Sequence, residues 1–272
     1  MSSRSSRTWL SKARVIITGA SRGIGEALAK RLANHGASLC LAARSADTVH
    51  RLAQYLRTFS GSQMLALGMD VTNAEDRKLL IESTVYYLGG LDVLINNAGI
   101  GASGLFEEAS PERLRLIMET NFFAAAELMR LAIPHLAQSP LGGMIVNISS
   151  VLGRRAIPGY VEYCASKFAL TGLSEALRAE LMRYGIHVLN VCPGLIDTPF
   201  NQHMLEQRFN PPWRETERMS ATRCAREIVS AMLRRKNEVV ITTAGKFLVW
   251  ANRLAPSLVD WVMAKLMRRY RP

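Results

Sequence analysis

The sequence predicts an α/β fold: one doubly wound parallel sheet of about seven strands, helices on both faces, and a short helical extension at the C-terminus. Three observations carry this expectation. Apolar, β-branched runs alternate with longer segments of helical period, the pattern of a parallel sheet buried on both sides. The first of these runs passes directly into a glycine-rich turn and then a helix. No internal repeat, low-complexity linker or break in composition interrupts the 272 residues before about position 245.

In chain order, strands are expected at residues 14–18, 38–43, 63–68, 92–96, 142–149, 187–191 and 238–241. Helices are expected between them at 24–35, 47–59, 74–88, 111–136, 160–184 and 221–235. Two helix starts have a mechanism. Ser110 can cap ahead of Pro111 at the first helical position, and Thr72 or Asn73 can cap ahead of Glu75 and Asp76. Residues 1–13 read as a loose basic arm, 14–245 as one domain, and 246–272 as a basic amphipathic extension broken at Pro256.

Composition narrows the function. With 49% hydrophobic and 21% charged residues the chain is too apolar to be disordered. It has no uninterrupted apolar run of about 18 residues to span a bilayer. The N-terminus is Ser- and Arg-rich and has no apolar secretory stretch. The four cysteines, Cys40, Cys164, Cys192 and Cys224, form no CxxC pair, which fits a reducing, cytoplasmic setting. The five histidines show no metal-ligand spacing, so no metal site is expected. A net charge of +12 raises the question of a nucleic-acid partner. Residues 1–14 hold Arg4, Arg7, Lys12 and Arg14 with no acid, and residues 246–272 hold six basic residues against Asp260. Nine of the twelve net charges thus sit at the ends, the body is nearly balanced, and no nucleic acid is expected.

The chemistry begins at Thr18-Gly19-Ala20-Ser21-Arg22-Gly23-Ile24-Gly25, between the first strand and its helix. Here a doubly wound fold holds a dinucleotide, because glycines admit the pyrophosphate to the backbone and the helix N-terminus offers unpaired N–H groups. A plain tight turn is the alternative. The second strand ends in Ala43-Arg44 with no acid, and Arg22 could converge on the same point. Two arginines favour the 2′-phosphate of NADP(H) over the bare ribose of NAD(H), unless Arg44 only opens a solvated loop. Further along, Tyr163 and Lys167 lie four apart on one helix face, where an ammonium can favour phenolate. Thirteen residues before Tyr163, at a strand's carboxyl end, stand Ser149 and Ser150, and that spacing together with the following Val151-Leu152-Gly153 singles out Ser150.

Together these residues resemble the short-chain dehydrogenases/reductases over residues 14 to about 242. The matching motifs are Gly19, Gly23 and Gly25; Asp70-Val71; Asn96-Asn97-Ala98-Gly99; Asn121; Ser150; Tyr163 with Lys167; and Pro193-Gly194 followed by Thr198. The resemblance implies a Rossmann-type fold and hydride transfer between a nicotinamide and a carbonyl or secondary alcohol. It implies that Tyr163 is the general acid, that Ser150 stabilises charge on the carbonyl oxygen, that Lys167 lowers the phenol pKa and holds the ribose, and that Asn121 holds a water in a proton relay. It also implies that Gly19, Ser21, Arg22, Gly23, Ile24, Gly25, Arg44, Asp70, Val71, Asn97, Ala98, Gly99, Pro193, Gly194, Ile196 and Thr198 contact the cofactor. Cys164, next to the tyrosine, reads as packing.

Two departures bear on substrate and partners. The turn 241–245 lacks the paired glycines with which many tetrameric members end, so a homodimer is expected over a tetramer, as in the subgroup resembling membrane-associated hydroxysteroid-dehydrogenase-like enzymes. The basic, apolar tail can pack over the substrate site, mediate dimer contacts, or lie on an anionic membrane, with Arg268, Arg269 and Arg271 beside Trp250 and Trp261. Residues 198–220 take the place of the family's substrate lid. There Phe200, Met204, Leu205, Phe209 and Trp213 offer an apolar face that suits a bulky hydrophobic substrate or simply packs the lid. Two other readings remain: a 3-oxoacyl thioester reductase, and a non-catalytic NADP-binding sensor or scaffold.

Overall fold

A computed structural model describes residues 9–209 and 218–268. The strands are β1 (Arg14–Thr18), β2 (Ser38–Ala43), β3 (Met64–Gly68), β4 (Val93–Asn96), β5 (Met144–Ile148), β6 (His187–Pro193), the two-residue pair β7 (Ile196–Asp197) and β8 (Met219–Ser220), and β9 (Glu238–Ile241). The main helices are α1 (Gly23–Ala33), α2 (Ala46–Ser60), α3 (Ala74–Leu88), α4 (Pro111–Met118), α5 (Ala124–Leu136), α6 (Val161–Glu180), α7 (Ala221–Leu233), α8 (Thr243–Leu254) and α9 (Pro256–Arg268). Seven strands form one parallel sheet in the order β3-β2-β1-β4-β5-β6-β9. This is the Rossmann-type sheet expected from the sequence. The order reverses between β1 and β4, and in such sheets the crevice beyond the strand ends at that point takes the ligand.

Alternation along each strand feeds two cores. Val15, Ile17, Leu39 and Leu41 pack with Leu28 and Leu32 of α1, Leu52 and Leu56 of α2, and Ile228 and Met232 of α7 on one face. Ile16, Cys40, Leu94 and Ile145 pack with Leu80 of α3, Leu128 and Met129 of α5 and Leu170 of α6 on the other. Both faces are covered, so the strands read as continuous apolar runs. The expected caps form. The Ser110 hydroxyl accepts from the Arg113 N–H at 3.3 Å, and Asn73, rather than Thr72, accepts from the N–H groups of Glu75 and Asp76.

Several expectations need correction. The helix expected at 111–136 is interrupted by a π-helical turn, Glu119–Phe123, which inserts one residue into the ladder. The pairing of β7 with β8 was not expected. Helix α8 starts at Thr243, so the expected boundary at 245 falls inside a helix. The stop at Pro256 is as expected. The arm is not loose at its end: Leu10 and Ala13 are fully buried, and Leu10–Lys12 is a 3-10 turn. Residues 1–8, and with them Arg4 and Arg7, lie outside the described residues, as do Pro211, Pro212, Trp213, Arg269 and Arg271.

One buried charge ties the start of β1 to β4. The Asp92 carboxylate accepts from the Arg14 backbone N–H at 2.8 Å, from its guanidinium at 2.7 Å, and from the Ser139 hydroxyl at 2.6 Å. Burial pushes this carboxyl up, and the bonds from Arg14 and Ser139 with Arg14's charge outweigh it, so the net shift is downward. A depressed carboxyl stabilises the fold above its unfolded pKa, near pH 4, and loses that contribution as pH falls through the folded value. Asp92→Asn leaves Arg14 without its charge partner and is expected to cost about 3–5 kcal/mol. In thermal unfolding this should lower the midpoint by roughly 10 °C at pH 7, with the gap to wild type closing below about pH 4. An unchanged midpoint would contradict it.

Candidate active site

The glycine loop is built by close approach. Gly19 has φ +64°, and a Cβ on Gly25 would lie 2.3 Å from the Gly19 carbonyl oxygen, so a side chain there cannot be placed without moving the turn. Asn97, at the end of β4, donates from Nδ2 to the carbonyls of Thr18 at 2.9 Å and Gly19 at 3.0 Å. The Thr18 hydroxyl accepts in return from the N–H groups of Asn97 and Ala98, each at 3.0 Å. Among the described residues no side chain caps α1, so its first N–H groups are left for a ligand, and Gly23 and Ile24 line the cleft beside them.

That cleft has a volume of about 690 Å³. The expected cofactor residues Gly19, Ser21, Arg22, Gly23, Ile24, Arg44, Asp70, Val71, Asn97, Ala98, Gly99, Pro193, Gly194, Ile196 and Thr198 all line it. Gly25 does not; it packs beneath the loop. Arg22 and Arg44 are exposed at the cleft's edge, and neither pairs with a carboxylate among the described residues. Asp70 is shaped by its own turn, its carboxylate accepting from the Thr72 N–H and hydroxyl, both at 2.9 Å. A glycine cradle, a free helix N-terminus and two unpaired arginines fit a dinucleotide phosphate group.

Ser150, Tyr163 and Lys167 meet in the same cleft. The two adjacent serines are distinguished by their bonds. The Ser149 hydroxyl is held by the Lys167 carbonyl at 3.1 Å and Thr171 at 2.9 Å, packing strand end onto helix. The Ser150 hydroxyl instead accepts from the Leu152 N–H at 3.0 Å and lies close enough to the Tyr163 phenol to oppose its upward shift. The Lys167 ammonium donates to the Ile148 carbonyl at 2.9 Å and sits 5.7 Å from the Tyr163 ring centre. Burial dominates both groups: it pushes the phenol well above its usual range, with Ser150 opposing, and it brings Lys167 down to about 8. The upward push on the phenol comes from desolvation, and Lys167 is not among its causes.

Asn121 lies in the π turn and is buried. Its Oδ1 accepts from the Ile100 N–H at 2.8 Å, and its Nδ2 donates to the Ile100 carbonyl and the Ser166 hydroxyl, both at 2.9 Å. The side chain is thus bonded to Ile100 and Ser166. Cys164 is buried packing, as expected, and burial pushes its thiol up to about 11.

At the substrate end, Phe200 stacks 5.8 Å from Tyr163, and Phe200 and Leu205 line the cleft. Met204 does not line it; it closes the 3-10 turn Asn201–His203 in an extended conformation. Phe209 is buried against Tyr160, 6.2 Å between ring centres. Sequence reasoning missed Leu116, Tyr160, Leu248 and Met263, which also line the cleft. Leu248 and Met263 come from α8 and α9, so the tail packs back over the site. Arg155 holds it there through Asn252 at 3.0 Å and Asp260 at 2.7 Å. Thr242, the cap of α8, adopts φ 84°, a strained conformation for a β-branched residue, and its hydroxyl accepts from the Gly245 N–H at 3.1 Å.

Comparisons with known proteins agree with this geometry. The family model described as short chain dehydrogenase matches residues 13–208. A relative from Arabidopsis thaliana, named 11-beta-hydroxysteroid dehydrogenase-like 2, is 33% identical over 257 residues, covering 94% of this chain and 82% of its own. Among solved structures, a short chain dehydrogenase/reductase from Burkholderia phymatum in complex with NAD has a TM-score of 0.81 at 25% identity, covering 90% of this chain and 95% of that one. A short-chain dehydrogenase from Sphingobium yanoikuyae in complex with NADPH has a TM-score of 0.75 at 30% identity, covering 95% and 96%. From its glycine loop to the serine, tyrosine and lysine gathered in its cleft, this chain belongs to the short-chain dehydrogenase/reductase family of oxidoreductases.

Proposed function

We propose that the protein is an NADP(H)-dependent reductase, reversibly a dehydrogenase, for the carbonyl or secondary alcohol of a bulky hydrophobic substrate. The observation that carries this reading is the meeting of Ser150, Tyr163 and Lys167 in the cleft that the glycine loop borders. The bound nicotinamide would supply or accept the hydride. Ser150 donates a hydrogen bond to the substrate oxygen and stabilises the charge that develops there. Tyr163 gives that oxygen its proton in reduction and takes it back in oxidation. Lys167 stabilises the resulting phenolate and holds the ribose hydroxyls, and a backbone carbonyl of the π turn at Asn121 holds the water that returns the proton. Arg22 and Arg44, without carboxylate partners among the described residues, support NADP(H) over NAD(H). Leu116, Phe200, Leu205, Leu248 and Met263 support an apolar substrate.

Carbonyl substrates assayed with NADPH and NADH side by side test this reading. The expected preferences are NADPH over NADH and bulky apolar ketones over small polar ones; the reverse of either contradicts that part. Tyr163→Phe is expected to lower turnover about 10²–10⁴-fold with NADPH binding retained. Since reduction leaves a phenolate that the ammonium must stabilise, its rate should fall as pH rises through about 8, where Lys167 loses its proton. A pH-independent rate between 7 and 10 would contradict the assigned roles.

The tail supports a membrane reading as well. No helix of the described residues is long and apolar enough to cross a membrane. Away from Leu248 and Met263, α8 and α9 expose Phe247 (68%), Trp250 (62%), Leu254, Leu258 and Trp261 (58%), with Lys246, Arg253, Lys265 and Arg268 in the same two helices. This outer face would lie on the cytoplasmic surface of an anionic bilayer, each nearby Lys or Arg contributing about 1 kcal/mol. Co-sedimentation with phosphatidylserine-containing vesicles should be strong for wild type and lost for Trp250→Glu/Trp261→Glu. Equal partitioning of the two proteins would contradict it.

A further inference from the structure

Arg113 belongs to none of the motifs above, yet it is buried at 5% exposure and joins three elements. From α4 its guanidinium donates through Nε (2.9 Å) and Nη2 (2.5 Å) to Glu162 Oε1, at the start of α6 and directly before Tyr163. Its remaining arm, Nη1, donates to Glu206 Oε2 at 2.7 Å, one residue beyond the cleft-lining Leu205. The two halves differ in solvation: the Glu162 side chain is 1% exposed and the Glu206 side chain 30%. The Arg113–Glu162 pair is thus a fixed part of the frame, since separating it would strand a buried charge. Glu206 is the arm that water can replace.

Other contacts leave this arm a distinct task. Backbone bonds Leu205 N–H to Gly101 carbonyl (2.9 Å), Ser103 N–H to Glu206 carbonyl (2.9 Å) and Arg208 N–H to Ser103 carbonyl (2.9 Å) zip residues 205–208 to 101–103. That ladder joins loop to loop. Arg113 connects it to two packed helices, one of which carries the phenol. Phe200, at the other end of the segment, rests on the Tyr163 ring. Glu206 Oε2 also lies 3.4 Å from Arg208 Nε, but Arg208 is on the same segment, so among these contacts the Arg113 arm is the one that ties residues 205–206 to the helix of Tyr163.

We infer that Arg113 is a positioning residue whose pair with Glu206 latches the cleft-lining segment 198–209 onto the helix of Tyr163 and so shapes the substrate end of the site. This rests on the reductase reading for its effect on substrate, while the latch itself can be measured without turnover. Glu206→Gln keeps the shape of the side chain and removes the charge; Arg113→Lys keeps a charge and loses the fork that serves both carboxylates.

The test is hydrogen–deuterium exchange of the full-length protein without substrate, together with steady-state kinetics on the best carbonyl and NADPH. Both variants should exchange faster at residues 198–209, with α6 unchanged in Glu206→Gln. In Glu206→Gln the KM for the carbonyl should rise roughly three- to tenfold, on the scale of one charge-assisted hydrogen bond, with kcat and the KM for NADPH unchanged. Unchanged exchange overturns the latch, and faster exchange with an unchanged carbonyl KM overturns its role in shaping the site. If wild type reduced no carbonyl, the reductase reading would fall while the exchange data still decided the latch.

Discussion

The approach of Gly25 to the carbonyl oxygen of Gly19 is the constraint from which the rest of the site follows. A Cβ at Gly25 would meet that oxygen at 2.3 Å and Asn97 Nδ2 at 2.6 Å, so helix and strand meet at a distance only backbone can occupy. The amide of Asn97 bonds the two carbonyls at the end of β1, and the Thr18 hydroxyl bonds the two N–H groups at the end of β4. These reciprocal bonds lock together the two strands between which the sheet order reverses. The uncapped N-terminus of α1 is thereby fixed at the crevice, and with it the direction in which a bound phosphate must lie.

On the other side of the cleft, α6 performs the matching task. The Ser149 hydroxyl bonds the carbonyl of Lys167, and the Lys167 ammonium returns to the carbonyl of Ile148, so the end of β5 and the middle of α6 hold each other. This leaves Ser150 and Tyr163 to face the cleft. Burial acts on Tyr163 and Lys167 alike: it pushes the phenol, neutral at pH 7 in any case, further up, and brings the ammonium down to about 8. A neutral acid beside a cation is poised to give up a proton only when negative charge develops on a nearby oxygen, which suits reduction of a carbonyl.

Much of this was legible in the sequence because the sheet is buried on both faces. Strands 14–18, 38–43 and 238–241 fall where the apolar runs fall, and glycines, serine, tyrosine and lysine reach one cleft because the strand ends they follow are neighbours. What escaped the sequence depends on contacts between distant segments. The π turn at Glu119–Phe123 has no composition of its own; it is stabilised by Asn121 bonding Ile100, 21 residues away. Leu10 is buried although the segment before it is basic, because helix and sheet close over it. Helical period could not tell which face of the tail meets the cleft, so Leu248 and Met263 were missed, and Met204 was expected at the cleft although the turn ahead of it removes it. The i,i+4 spacing of Tyr163 and Lys167 reports their proximity and says nothing of the desolvation that pushes the phenol up.

The most direct test of the account is the affinity for NADPH, measured by calorimetry, of wild type and Gly25→Ala, with circular dichroism to compare their folds. If the close approach at Gly25 builds the dinucleotide cradle, one added methyl group should weaken binding at least roughly 100-fold, the loss of about 3 kcal/mol, while the secondary structure persists. Equal affinities in two folded proteins would contradict it.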